Sequence, residues 1–260
     1  MPERPPPSLP ASLPWFRALI VGASSGMGAA LARQLGTAGV RLALVARRGE
    51  LLDGLADEIV HEGGAARPHT YVHDVQDIDT VPALLEGICR DLEGLDLFIY
   101  AAGIMPRIEQ EQYDSGIDQE ILGVNLLGAV AWTNAVVPRF ARARSGTIVG
   151  LSSVAGDRGR RAYPAYAAAK AGHTTYLESI RNRVGRLGVR VVTVKPGPVD
   201  TPMTAGLDRV PFLISADQAA RTILSAAARG RSTVYIPWRW RPIMLAIRMI
   251  PSRLFRYLDI

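Results

Sequence analysis

Residues 17–28 read RALIVGASSGMG: an apolar run, Arg17 to Gly22, that feeds straight into glycines at 22, 26 and 28. A helical pattern follows from Ala29 to Thr37, stopped by Gly39, and a second apolar run covers Arg41 to Ala46. Strand, glycine turn, helix and strand in that order predict a βαβ unit. A glycine turn in that place lets the backbone approach a pyrophosphate, whose charge meets the N–H groups at the helix start. Gly22, Ser24, Ser25, Gly26, Met27 and Gly28 are therefore candidate cofactor contacts, with a purely structural tight turn as the alternative.

The residue that chooses between dinucleotides normally stands about 20 positions past the glycines, where a carboxylate accepts from a ribose 2′-OH. Here Arg47 and Arg48 occupy that place, nineteen and twenty after Gly28. A guanidinium pairs with a 2′-phosphate through charge-assisted hydrogen bonds. The pair predicts NADP(H) rather than NAD(H); the bland alternative is two solvated residues opening the next helix.

Working outward, apolar runs recur at Thr70–His73 (before Asp74-Val75), Leu95–Tyr100 (before Ala101-Ala102-Gly103), Thr147–Leu151, Val189–Val194 and Thr233–Ile236. Helical patterns lie around Ile78–Arg90, Gln119–Arg142, Tyr166 to about Arg186, and Ser215–Arg229. The alternation predicts an α/β fold: a doubly wound, Rossmann-like parallel sheet with helices on both faces, in one domain. That domain is set at 15–237, between a Pro-rich leader, 1–14, and a basic apolar segment, 238–260.

Residues 152–170 read SSVAGDRGRRAYPAYAAAK. Tyr166 and Lys170 are separated by three alanines, the strongest helix formers, and residues i and i+4 share a helix face. A cation beside the phenol would lower its pKa from ~10 and suit it to general acid–base work. Ser153, at the end of the Thr147 run, can converge on the same crevice. A half-buried tyrosine and a solvated lysine are the alternative. The composition leans the other way, since the chain has 28 Arg and only two Lys, Lys170 and Lys195. A lysine kept in that background suggests a compact amine that guanidinium cannot replace.

These motifs, in this order, resemble the short-chain dehydrogenase/reductase family over roughly Arg17 to Pro237. Residues 22–28 are similar to its cofactor loop, Asp74-Val75 to its adenine contact, and Ala102-Gly103 to the end of its N-N-A-G segment. Pro196-Gly197 through Val199 and Thr201 resembles its nicotinamide-side segment. Asn125, Ser153, Tyr166 and Lys170 fall where the family has its catalytic tetrad. Two positions depart from the pattern: Val21 stands for the usual Thr, and Tyr100-Ala101 for two Asn. The resemblance implies hydride transfer between NADP(H) and a carbonyl or secondary alcohol. Tyr166 would give the proton, Lys170 would tune Tyr166 and bind the nicotinamide ribose, Ser153 would hold the carbonyl oxygen, and Asn125 would hold a relay water. It also implies a homodimer or homotetramer. The alternative is a catalytically silent cofactor-binding regulator on the same fold.

Other classes recede. A lone Cys89 leaves no intrachain disulfide, and the four His lack ligand spacing, so no metal is expected. The leader, six prolines in fourteen residues, has no apolar core of a secretory signal, and a cytoplasmic setting is expected. Net charge is +6, and residues 229–260 carry seven Arg against Asp259, so the remainder is neutral and no nucleic-acid partner is expected. Met203 to Ile214, with Leu207, Val210, Pro211, Phe212 and Leu213, reads as an apolar lid over an apolar or lipid-linked carbonyl substrate, or as ordinary core. The tail also resembles that of reductases acting on polyprenyl-phosphate-linked keto sugars. Its Trp238-Arg239-Trp240-Arg241 and the short apolar runs Ile243–Ile250 and Ser252–Leu258 predict contact with a membrane or another subunit, or folding over the body.

Overall fold

The computed structural model describes residues 12–205 and 210–258. Most of the Pro-rich leader, Leu207 of the expected lid, and Asp259 lie outside the described residues. Seven strands form one parallel sheet: β1 (Arg17–Val21), β2 (Arg41–Ala46), β3 (His69–Val72), β4 (Leu97–Tyr100), β5 (Thr147–Leu151), β6 (Arg190–Pro196) and β9 (Thr233–Ile236). Their spatial order is β3-β2-β1-β4-β5-β6-β9. The chain winds outward from β1 in one direction and from β4 in the other. A crevice therefore opens above the C-terminal ends of β1 and β4, where the order reverses.

Alternate strand residues feed two cores, as a sheet covered on both faces requires. Ala18, Ile20, Leu42, Leu44, Leu97 and Ile99 pack under α1 (Gly26–Thr37), α2 (Gly49–His61) and α7 (Ala216–Ala228). Leu19, Val21, Ala43, Val45, Phe98 and Tyr100 pack under α3 (Val81–Asp91), α5 (Gly128–Ala143) and α6 (Pro164–Val184). Helix α4 (Ser115–Leu122) runs into α5 through a π-helical segment, Gly123–Leu127. The stretch 115–143 is long and apolar enough to cross a membrane by length and composition alone. Its Trp132, Val136 and Phe140 are instead buried against the sheet, so it is a core helix.

The βα alternation stands as expected, with one addition and one correction. Helix α2, expected after Arg48 without bounds, runs Gly49–His61, and Leu52, Leu55, Ala56 and Ile59 give it a buried stripe at helical spacing. Ile214 does not belong to a lid. It is buried in β8 (Ile214–Ser215), which pairs with β7 (Val199–Asp200) in a small second sheet. The tail forms α8 (Trp240–Met249) and α9 (Ser252–Phe255), and one face of it is spent on neither membrane nor partner. Trp240 and Met244 are buried against Val154, with Tyr235, Ile243 and Ile247 packed around them.

Candidate active site

The glycine loop closes on its neighbours. Gly22 has φ +90°, and a side chain there would run into the Ala101-Ala102 backbone; one on Gly28 would run into the Gly22 carbonyl. Ser25 takes the N-cap position of α1 but makes no capping bond, so the first N–H groups of the helix remain for a ligand. Both loop serines face Arg48, whose guanidinium donates to Ser24 Oγ and Ser25 Oγ, each at 2.8 Å. Arg47 turns the other way and pairs with Asp74 at 3.6 Å.

A crevice of about 640 Å³ opens here, walled by the whole glycine loop, Arg47, Arg48, Val75, Ala102 and Gly103, with Thr201 and Met203 opposite. The backbone cradle and the basic end fit a dinucleotide phosphate. Asp74, Tyr166, Lys170, Pro196, Gly197 and Val199, also expected there, do not line it. Asp74 is engaged by Arg47 and the Gln76 N–H. The Val199 carbonyl accepts from the Thr201 and Thr204 hydroxyls, at 3.2 and 2.6 Å, which folds Thr201 back toward Gly26. Ile104, Met105, Pro106, Arg107 and Glu120 also line the crevice; sequence reasoning missed them because that segment has no regular pattern.

Two of the expected catalytic residues, Asn125 and Lys170, meet beside Gly103, and Tyr166 lies next to Lys170. Asn125 is fully buried in the π segment; its amide donates to the carbonyls of Ile104 and Ile121, both at 2.9 Å, and its oxygen accepts from the Ile104 N–H. One N–H and the oxygen thus hold Ile104, and the other N–H is spent on Ile121 of the preceding helix. Ser153 Oγ accepts from the Ala155 N–H at 3.0 Å and donates to the Pro196 carbonyl at 3.5 Å. The Lys170 ammonium donates to the Leu151 carbonyl at 2.9 Å and lies 5.6 Å from the Tyr166 ring centre.

One expectation about this group is corrected. Burial pushes Tyr166 up to about 12, with only the Ser153 hydrogen bond working against it. Burial also pushes Lys170 down to about 8. The amine is turned toward Leu151 and, with both groups desolvated, each neutral form gains. The phenol therefore rests as a proton holder rather than a phenolate.

A model of the short chain dehydrogenase family matches residues 17–210. The chain belongs to that family. An uncharacterized oxidoreductase of Myxococcus xanthus is 32% identical over 246 residues, 94% of this chain and 96% of that one. Another, from Mycobacterium tuberculosis, is 30% identical over 240 residues, 92% and 95% of the two. Among solved structures, levodione reductase superposes with a TM-score of 0.76 at 26% identity, over 84% of this chain and 94% of its own. An actinorhodin polyketide ketoreductase solved with NADPH gives 0.76 at 23% identity, over 85% and 95%.

At Tyr100, one of its departures from the family pattern, this short-chain dehydrogenase makes a tie of its own. Tyr100 donates its buried hydroxyl to the Val124 carbonyl at 2.6 Å, tying the end of β4 to the π segment that carries Asn125. Burial raises the Tyr100 phenol far above its usual range, so it stays a donor. The second lysine has a structural place. Lys195 is buried in an ion pair with Asp157, which also accepts from Tyr235 at 2.8 Å.

Asp157 opens an arginine-rich run, Arg158, Arg160 and Arg161, that lies between Ser153 and Tyr166 and grips the tail. Arg158 donates to the carbonyls of Arg248 and Ile250, both at 3.1 Å, and stacks 4.5 Å from the Phe255 ring centre. Arg160 reaches Met244 Sδ, and Arg161 donates to the Arg256 carbonyl at 2.6 Å. Trp240 lies flat against Gly197, where any side chain would collide with its indole, and Phe212 meets it edge-on at 5.8 Å. A tail folded over the body was one of the expected outcomes; its arginine contacts were not legible, because those partners are some 90 residues apart and most of the acceptors are main-chain carbonyls.

Proposed function

We propose that the protein is an NADP(H)-dependent oxidoreductase that reduces a carbonyl, or oxidises the matching secondary alcohol. The observation that carries this reading is a buried Lys170 one helical turn from a buried Tyr166, its ammonium 5.6 Å from the Tyr166 ring centre, beside a glycine-walled crevice. A bound nicotinamide supplies the hydride. In reduction Tyr166 releases its proton to the oxygen on which charge develops, and Ser153 stabilises that oxygen by donating a hydrogen bond. Lys170, pushed by burial down to about 8, restores the proton to Tyr166 and supports the ribose. Asn125 fixes the Gly103-Ile104 backbone against Lys170, and its remaining lone pair can hold a relay water. Reduction takes up one proton from solvent in each turnover.

The preference for NADP(H) is supported by Arg48 with Ser24 and Ser25, which together offer a cation and two hydroxyls for a 2′-phosphate. An apolar substrate, lipid-linked ones included, is supported by Met105, Pro106 and Met203 on the crevice wall. The reading takes in a homo-oligomer in the cytoplasm that reaches a membrane through residues 238–260. The silent-regulator alternative keeps the fold and loses turnover. Oxidation of NADPH with a panel of ketones, beside Tyr166→Phe, separates the two; no turnover by the wild type with any ketone would favour the regulator.

A further inference from the structure

We propose that the outer face of the C-terminal segment docks on an anionic lipid surface. The inference rests on the tail's own charge and exposure and stands whether or not the enzymatic reading does. Helix α8 divides its residues cleanly: Trp240 and Met244 face the body, whereas Leu245 is 60% and Met249 76% exposed. Trp238, Leu254 and Tyr257 add 57%, 60% and 72% exposed apolar surface around them. Arg241, Arg248, Arg253 and Arg256 are exposed between these side chains, and residues 238–258 contain no carboxylate.

Exposed apolar side chains ringed by arginines, on helices of ten and four residues, are too short to span a bilayer, which needs ~20 apolar residues. Such a segment lies in the headgroup layer with aromatic and basic groups at the boundary. The arginine clamp from 158–161 holds it flat against the body, so the face is presented preformed rather than ordered on contact. A second copy of the chain is the weaker occupant. A two-fold contact centred on this patch would set arginines against arginines, with no carboxylate in residues 238–258 between them. An anionic bilayer supplies the missing charge throughout its surface.

The test is co-sedimentation of the full chain with vesicles of phosphatidylcholine alone, or with a third phosphatidylserine, at low and high salt. Expected is binding to the anionic vesicles only, lost at high salt because exposed charges are screened. Leu245→Glu with Met249→Glu is expected to lower partitioning at least tenfold, while cofactor affinity and ketone turnover in solution stay at wild-type values. Arg241→Gln with Arg253→Gln is expected to cost roughly fivefold per charge. Wild-type protein remaining in the supernatant with anionic vesicles at low salt would overturn the proposal. So would a glutamate pair that changes the mass in solution, by light scattering, without changing vesicle binding, which would make the face a subunit interface.

Discussion

At the residue scale, the two arginines after β2 do different work. Arg47 is held by Asp74, whereas Arg48 lies over Ser24 and Ser25, where a 2′-phosphate would be met. Charge-assisted hydrogen bonds are worth ~1.5–3 kcal/mol each, so Arg48→Ala is expected to weaken NADPH at least about tenfold and leave NADH nearly unchanged. Arg47→Ala is expected to do less. Equal losses for both cofactors in fluorescence titration would remove Arg48 from that role. The sequence exposed the pair because position after a glycine turn is a local rule. It hid the split because Asp74 reaches Arg47 only through the pairing of β2 with β3. It likewise exposed Tyr166 and Lys170 but not their resting state, which burial decides and spacing does not.

At the scale of elements, the Ser153–Tyr166 connection is held from outside. Asp157 is anchored on Lys195 of β6 and Tyr235 of β9, and Arg158 caps the end of α8. A cation at a helix C-terminus satisfies carbonyls that have no partner within the helix. Arg158→Ala is expected to release the catalytic connection. It should lower kcat several-fold through a misplaced Ser153, with NADPH affinity kept because the glycine loop is remote. Arg158→Lys should restore only part, since a single amine cannot bridge two carbonyls and stack on Phe255. Unchanged kcat in the alanine variant would show the clamp to be incidental to catalysis. The main strands were legible because apolar runs bounded by glycines are local signals. The bounds of α2 were not legible although its stripe is regular, because Gly49 and Gly54 interrupt its propensity.

At the scale of the whole molecule, the fold buries a histidine it does not pair. His173, one turn past Lys170, is fully buried, edge-on to Tyr100, and neither ring nitrogen has a partner. Burial, with the Lys170 charge, pushes it down to about 3 from 6.5. Between those values the unfolded chain binds a proton that the folded chain refuses, so stability falls as pH drops through that window. One proton contributes at most about 1.4 kcal/mol per pH unit. Glu58 and Asp96, held low by Arg33 and Arg17, lose their contributions only below their own unfolded values of 4.5 and 3.8. Urea unfolding between pH 5 and 6.5 therefore isolates the histidine. His173→Leu is expected to flatten the slope there, and an unchanged slope would mean that His173 takes up its proton in the folded protein.

The sheet's order reversal places the crevice, the glycine loop shapes it, and α6 packs Tyr166 with Ile104 and Met105 of its wall. The account stands on that phenol as the proton donor. The direct measurement is steady-state turnover of Tyr166→Phe beside wild type, with a ketone the wild type reduces and with NADPH affinity measured in parallel. General acid–base groups contribute ~10²–10⁴-fold, so kcat should fall by that factor while NADPH binding stays unchanged. Turnover near the wild-type rate, with the cofactor still bound, would contradict the account.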